Sequence, residues 1–190
     1  MGVSRRIVVG ISGSSGPIYG IRVLEVLRDS ADVEVHLVVT SAAEKTIALE
    51  TSWKLDDVLK LAHRAYANDD LAASISSGSF KTDGMLVAPC SMHSLGEIAH
   101  ATTSGLLTRA AEVHLKERRT LVLMVRESPL HLGHLRNMVA ATEMGAVILP
   151  PIPAFYHYPE SIDEMINHSV GKALDLFTIP HHLYRRWQSP

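Results

Sequence analysis

The chain alternates short apolar segments with segments of helical spacing, and this alternation limits the folds open to it. The clearest apolar segment, Thr120–Val125, ends in the charged pair Arg126 and Glu127. A continuous apolar run of this length is typical of a strand buried on both faces of a parallel sheet. Further strand candidates are residues 7–11, 33–39, 85–88 and 146–149. The pattern predicts an α/β fold with a doubly wound parallel sheet, in a single domain over residues 1–190.

Composition and charge exclude several classes of protein. The net charge is −2 with both signs interspersed, which does not favour a nucleic-acid partner. The single cysteine, Cys90, cannot form an intrachain disulfide and fits a reducing compartment. The apolar stretches are far shorter than the ~20 residues that span a bilayer. We therefore expect a soluble cytoplasmic protein that binds neither nucleic acid nor membrane.

Ligands of open α/β sheets bind beyond the carboxyl ends of the strands. Arg126 and Glu127 directly follow a predicted strand, so the sequence places a cation and a carboxylate at this edge. The alternative is a solvated charge pair that ends the strand.

A glycine-rich loop, residues 10–16, follows the first predicted strand, and Pro17 after it is typical of the first turn of a helix. Glycines allow close backbone approach, hydroxyls donate hydrogen bonds, and a helix N-terminus favours an anion. The loop lacks the Gly-Lys-Ser/Thr of a Walker loop, and its spacing is a poor dinucleotide fingerprint. The second strand also ends at Thr40 rather than at an acid that would hold a ribose. A mononucleotide such as FMN fits better than NAD, and an ordinary tight turn is the alternative.

A second candidate ligand loop, residues 89–94, follows the strand at 85–88. Its hydroxyl groups could hold a flavin ring edge or ribityl chain. A nucleophilic Cys90 with His93 as base is the alternative, but residues three apart on a turn rarely reach that geometry. We expect Cys90 to be a small packed residue.

Further local patterns predict helix starts and irregular segments. Ser94 with Glu97, and Ser161 with Glu164, have the spacing of capping boxes at helix N-termini. Residues 68–80 are polar and predict a surface excursion. The proline-rich residues 150–156 predict a rigid wall that presents an aromatic pair, Phe155 and Tyr156.

Basic residues on predicted helices suggest a second anion site. Arg109 and Lys116 are seven residues apart and share one helix face, and Lys172 lies on the last helix. A solvated face is the alternative. Glu50, near the end of the second helix, opposes the helix dipole, which hints at a role other than stability.

The chain has eleven histidines, and His131 with His134 has the spacing of metal ligands. No carboxylate or third histidine completes a recognisable metalloenzyme pattern. We expect no metal.

Eight segments in order carry a resemblance to one family: residues 10–16, 76–80, 88–91, 115–119, 125–130, 134–138, 150–156 and 186–187. Over nearly its whole length the chain resembles the flavin prenyltransferases, the UbiX-like family once described as aromatic-acid decarboxylases. The resemblance implies a flavodoxin-like fold and metal-independent transfer of a dimethylallyl group from dimethylallyl phosphate to reduced FMN. It also implies bonds to the flavin N5 and C6, delivery of the prenylated flavin to a UbiD-like decarboxylase, and a homo-oligomer, a dodecamer with active sites at subunit contacts.

The resemblance also assigns residues. Flavin contacts would come from Gly13, Ser14, Ser15, Thr40, Ser91, Met92, His93, Ser94 and Arg126. The prenyl phosphate would be bound by Arg109, Lys116, Arg126, Glu127, Tyr156 and Lys172. Ser15, Glu50 and Glu127 match positions of the proton and phosphate steps, and Arg109 and Lys116 join them as catalytic candidates. Fixed positive charge is what a departing phosphate needs in a site without magnesium.

The chain departs from the family pattern at two places. Ser104 and Gly105 precede the helix of Arg109, where serine can still act as the cap. Lys172 stands where relatives often have Arg, which keeps the charge but loses the bidentate fork.

Three other functions compete with the prenyltransferase. A flavoprotein that decarboxylates a cysteinyl substrate usually has a histidine near the first helix, and residues 17–28 contain none. A non-catalytic FMN carrier would leave unexplained the carboxylate of Glu127 and the four basic residues, Arg109, Lys116, Arg126 and Lys172. Direct aromatic-acid decarboxylation lacks an obvious electron sink.

Overall fold

The computed structural model describes residues 5–188 as a six-stranded parallel sheet with helices on both faces. The strands lie in the order β3-β2-β1-β4-β5-β6. Their bounds are β1 Arg5–Ile11, β2 Val33–Val39, β3 Arg64–Ala67, β4 Gly84–Cys90, β5 Thr120–Val125 and β6 Val147–Ile148. The helices are α1 Ile18–Arg28, α2 Ser41–Glu50, α3 Leu55–Leu59, α4 Met92–Ala99, α5 Leu106–Lys116, α6 Leu132–Glu143 and α7 Ile162–Asp175, with a 3-10 turn at Ser74–Ser76. The predicted doubly wound parallel sheet is confirmed.

The sheet reverses its strand order between β1 and β4, which pair in parallel from Ile7 with Gly84 to Gly10 with Val87. Alternate residues of each strand enter opposite faces of the core, as in β5, where Val122 is buried on one face and Leu123 on the other. Burial on both faces explains the continuous apolar runs of the sequence. The crevice at the carboxyl ends of β1 and β4 is where such sheets bind ligands.

Three local predictions need correction. Strand β3 was missed, because it is an edge strand of only four residues that are mostly exposed, so it lacks the apolar run of a buried strand. Helix α4 begins at Met92, because its cap is Ser91, three residues before the predicted cap Ser94. The predicted surface excursion at 68–80 buries Ala73 and Ile75 in the core.

The predicted capping box at Ser161 and the predicted lack of regular structure at 150–156 are confirmed. Ser161 accepts a hydrogen bond from the Glu164 N–H at 3.2 Å and begins α7, while the Glu164 carboxylate accepts from the Glu160 N–H. Residues 150–156 contain no helix or strand and leave Phe155 exposed. Within the described part of the chain, no helix is long and apolar enough to cross a membrane.

Candidate active site

The loop after β1 is fastened to the carboxyl end of β4. Ser12 is only 1% exposed, and its Oγ donates to the Pro89 carbonyl at 2.8 Å and accepts from the Ser91 N–H at 2.7 Å. A Cβ on Gly13 would lie 2.2 Å from the Cβ of Ala42, so only glycine allows the loop to approach α2 this closely. The role of Ser12 was missed in the sequence, where its position beside Gly13 was the available signal.

Two helix N-termini point into the crevice beside this loop. Thr40 Oγ1 accepts from the Ala43 N–H at 3.2 Å and begins α2. Ser91 Oγ accepts from the Ser94 N–H at 3.2 Å and begins α4. The hydroxyl side chains that follow β2 and β4 therefore act as caps that hold both helix ends at the edge of the sheet.

A third helix N-terminus, that of α5, is capped from a distance. Gly105 precedes the helix without a side-chain cap, and the expectation that Ser104 caps it is wrong. Asn68 takes this role, because its carbonyl accepts from the Leu106 N–H at 2.6 Å and its Oδ1 accepts from the Leu107 N–H at 3.0 Å. Asn68 directly follows the missed strand β3, so sequence analysis could not place it.

The three helix N-termini meet around a cavity of about 320 Å³. Its lining is Gly13, Thr40, Ser41, Ala42, Asn68, Ser91, His93, Ser94, Glu97, Ser104, Gly105, Leu107 and Thr108. Five predicted flavin-contacting residues are among them: Gly13, Thr40, Ser91, His93 and Ser94. Met92 packs against the core instead, and Ser14, Ser15 and Arg126 lie outside this lining. The three helix N-termini around it make the cavity suitable for an anionic ligand.

Glu50 reaches back from the end of α2 to the glycine-rich loop. Its Oε2 accepts from Ser15 Oγ at 3.1 Å and from the Gly16 N–H at 2.8 Å. This contact accounts for a carboxylate at a helix C-terminus, where it opposes the dipole. Ser15 and Glu50 thus form a hydrogen-bonded pair that could hold or pass a proton.

Arg126 extends the site beyond β5. Its N–H donates to the Cys90 carbonyl at 3.1 Å, and its charge acts on Tyr19 in the first turn of α1. Burial raises the pKa of Tyr19, and the Arg126 charge partly offsets that effect. Glu127 is exposed and its Oε1 accepts from the Ser128 N–H at 2.9 Å. The cation therefore lies near the glycine-rich loop, with the carboxylate next to it in the chain.

Cys90 itself is fully buried in the core below this loop. Burial raises the pKa of its thiol to about 12, so the thiolate that a nucleophile needs is not populated at neutral pH. The expected packed cysteine is confirmed.

Tyr156 and Lys172 belong to a separate aromatic group around α7. The Tyr156 ring contacts Trp187, with centroids 5.2 Å apart, and His168 at 6.1 Å. Burial lowers the pKa of His168, and its neighbours His157 and Lys172 lower it further. Lys172 follows His168 by one helical turn, so both project from the same side of α7.

Arg109 and Lys116 share a helix face as predicted, but that face lies against residues 76–78. Arg109 donates to the Ser76 carbonyl at 3.2 Å and to Glu112 at 2.7 Å. Lys116 pairs with Glu117 at the end of α5. Neither acidic partner was expected from the sequence.

Lys116 and Arg126 lie beyond opposite ends of strand β5, at the two edges formed by the amino and carboxyl ends of the strands. Lys116 ends α5 four residues before β5 begins, whereas Arg126 follows its last residue. The six residues of β5 separate the two edges by roughly 20 Å. Within one chain, Lys116 therefore lies far from Arg126.

No group of three or more histidine, cysteine, aspartate or glutamate side chains among residues 5–188 is arranged to hold a metal ion. The His131 and His134 rings lie 3.6 Å apart, and His131 accepts from the Gly133 N–H at the start of α6. His131 is thus a helix cap.

Comparison with known proteins agrees with this geometry. The model of the flavoprotein family matches residues 1–173. Flavin prenyltransferase UbiX of Escherichia coli K12 is 58% identical over 97% of this chain and 98% of its own length. The structure of AnUbiX in complex with FMN and dimethylallyl pyrophosphate superposes with a TM-score of 0.95, at 48% identity over 97% of this chain and 98% of that one.

A dodecameric FMN-dependent UbiX-like decarboxylase from Escherichia coli O157:H7 also superposes with a TM-score of 0.95. It is 47% identical and covers 97% of this chain and 100% of its own. Identity at this level over the full length favours the UbiX group over the cysteinyl decarboxylases considered from the sequence. The chain belongs to the UbiX flavin prenyltransferase family.

Proposed function

We propose that this protein transfers a dimethylallyl group from dimethylallyl phosphate to reduced FMN, with bonds to the flavin N5 and C6. The carrying observation is the cavity formed by three helix N-termini, lined by Gly13 of the loop that Glu50 binds through Ser15, in a chain 58% identical to a UbiX flavin prenyltransferase. The prenylated flavin would then serve a UbiD-like decarboxylase, and the reaction would take place in the cytoplasm without a metal.

The cavity suits FMN by the chemistry of its lining. Gly13 lets the loop pack closely against the start of α2 at the cavity wall, and the hydroxyls of Thr40, Ser91 and Ser94 offer hydrogen bonds beside the helix N-termini. A phosphate at such helix ends is stabilised by the N–H groups and by the helix dipoles. Reduced flavin supplies the nucleophilic positions, while the residues of the chain bind and orient both reactants.

The departing phosphate needs fixed positive charge and hydrogen-bond donors. Arg126 would supply the charge near the glycine-rich loop, and Lys172 and Tyr156 would bind the ester from α7 and the proline-rich wall. Lys116 would complete the pocket from a neighbouring subunit, because roughly 20 Å of sheet separates it from Arg126 in one chain, and Arg109 on the same helix face would come with it. The dodecameric relative supports such a shared site.

Two carboxylates would handle the protons. Glu127, next to Arg126, would act on the phosphate and on the proton released at the flavin. Glu50 would hold the Ser15 hydroxyl through their 3.1 Å hydrogen bond, so that this hydroxyl faces the reacting group.

The direct test is anaerobic incubation of the protein with reduced FMN and dimethylallyl phosphate, followed by mass spectrometry of the extracted flavin. We expect a flavin heavier by one prenyl unit. Glu127→Gln should retain FMN and slow product formation by about 10²–10⁴-fold, the usual effect of removing a general acid or base.

Glu143→Gln, an exposed change on α6, is the matched control and should behave as wild type. Unmodified FMN bound tightly to wild-type protein would contradict the transferase and support the FMN carrier instead.

A further inference from the structure

The segment after α7, residues 179–187, folds back along the helix and is fastened by one carboxylate. Asp175, the last residue of α7, accepts a 2.6 Å hydrogen bond from Tyr184 Oη. Arg186 donates to both of its oxygens, at 2.6 and 3.0 Å. His181 Nε2 lies 3.1 Å from Asp175 Oδ1. Three side chains of this C-terminal segment therefore meet at a single residue.

The charge of Asp175 is maintained by these partners. Burial by itself would raise its pKa, but the hydrogen bonds from Arg186 and Tyr184 outweigh burial and hold the pKa well below its usual range. Burial and the bond to Asp175 raise the pKa of Tyr184 to about 12, which keeps the phenol as the donor. A bidentate guanidinium–carboxylate contact adds geometric precision to the charge.

Gly171 provides independent evidence that α7 is shaped for this segment. A Cβ at Gly171 would lie 2.6 Å from the Tyr184 ring and 2.7 Å from that of His181. Glycine within a helix costs about 1 kcal/mol relative to alanine, so its place here calls for a packing reason. Ile179 is buried and Leu183 packs against the same core cluster. The segment is thus seated by both apolar and polar contacts.

The fastened segment ends at Trp187, which contacts Tyr156, a residue proposed to bind substrate. Trp187 follows Arg186 and stands perpendicular to Tyr156, with ring centroids 5.2 Å apart and an interplanar angle of 84°. Trp187 is 67% exposed, so packing alone holds it weakly. Tyr156 lies in the proline-rich wall outside any helix or strand, and its position therefore depends on its side-chain neighbours.

We propose that Asp175 is a positioning residue of the prenyl-phosphate site. By holding Tyr184 and Arg186 it keeps Trp187 against Tyr156, and so fixes the Tyr156 hydroxyl for the phosphate. This inference rests on the proposed function for its effect on catalysis, but the attachment of Trp187 can be measured without it.

The test uses a Trp53→Phe background, in which Trp187 is the only tryptophan of the chain. At equal FMN occupancy, Asp175→Asn should raise the quenching of Trp187 fluorescence by acrylamide. It should also raise KM for dimethylallyl phosphate about five- to twentyfold, with a smaller change in kcat and an unchanged Kd for FMN.

Two further variants keep the test decisive if Asp175→Asn folds poorly. Gly171→Ala leaves the carboxylate in place but displaces Tyr184, and should give the same pattern. Arg186→Lys keeps the charge but loses the bidentate fork, and should give a smaller effect. The control is Asp163→Asn at the other end of α7, where Asp163 accepts only from Arg22 among the hydrogen bonds of the described chain.

Quenching and KM at wild-type values in Asp175→Asn and Gly171→Ala would overturn the inference. A raised KM with unchanged quenching would also overturn it, because Asp175 would then act without Trp187. If wild-type protein forms no prenylated flavin, the proposed function fails, whereas the quenching result still decides whether Asp175 holds Trp187.

Discussion

The buried histidine His114 illustrates how neighbouring groups set the protonation state of one residue. His114 on α5 is 1% exposed, and its Nδ1 lies 2.7 Å from the Ala110 carbonyl and its Nε2 2.9 Å from Thr82 Oγ1. Arg119 donates to the same Thr82 oxygen, so the threonine hydroxyl is free to donate to Nε2. This network assigns a neutral imidazole with its proton on Nδ1, and burial accordingly lowers the pKa of His114 to about 4.

His114 should make the protein less stable in acid. Between about pH 6.5 and about pH 4 the unfolded chain binds a proton at His114 that the folded chain does not, so the free energy of unfolding falls as pH falls. The loss should reach up to about 3 kcal/mol and be absent above the ordinary pKa. Urea unfolding across this pH range would measure the loss.

His114→Gln should flatten the dependence of the free energy of unfolding on pH, whereas the exposed His100→Gln should not. The same pH dependence in wild type and His114→Gln would contradict the assignment.

At the scale of elements, the sequence was informative where burial produced a regular pattern. The apolar strands β1, β2, β4 and β5 and the cap of α7 followed from runs and spacings that physical chemistry ties to one structure. The start of α4 did not, because Ser91 and Ser94 are both good caps and tertiary contact with Ser12 favours the first. Strand β3 depends on its pairing with β2, and the cap of α5 depends on Asn68, which is distant from the helix in sequence. No local sequence pattern indicates either contact.

Asn68 offers a way to separate the stability of α5 from ligand binding. Asn68→Ala removes the acceptor for the Leu107 N–H and should lower the free energy of unfolding by about 1 kcal/mol. Asn68→Asp keeps the acceptor and should restore stability. Because its carboxylate repels an anion in the cavity, it should still weaken FMN binding, as titration by flavin fluorescence would show. Equal FMN affinity in Asn68→Asp and wild type would exclude an anionic ligand group beside α5.

For the whole molecule, the topology decides which residues can act together. A parallel sheet places every strand's carboxyl end at one edge, which explains why the loops after β1, β2, β3 and β4 meet at one cavity that Gly13, Thr40 and Ser91 line. The same topology sends α5 back to the other edge, so Lys116 leaves the crevice. Helix spacing showed that Arg109 and Lys116 share a face, but not what that face meets in an assembly.

A site shared between subunits makes a prediction for mixed oligomers. Lys116→Ala and Glu127→Gln should each lower flavin prenylation in uniform assemblies to about 1% of wild type or less. If a neighbouring subunit supplies Lys116, co-assembly of the two variants in equal amounts should restore about a quarter of the activity, since random mixing leaves that share of sites with both residues intact.

Arg126→Ala with Glu127→Gln is the matched control. These residues are adjacent in one chain, so each site receives both from the same subunit and mixing should restore nothing. Activity that stays absent in the first mixture would show that Lys116 and Glu127 do not act in one shared site.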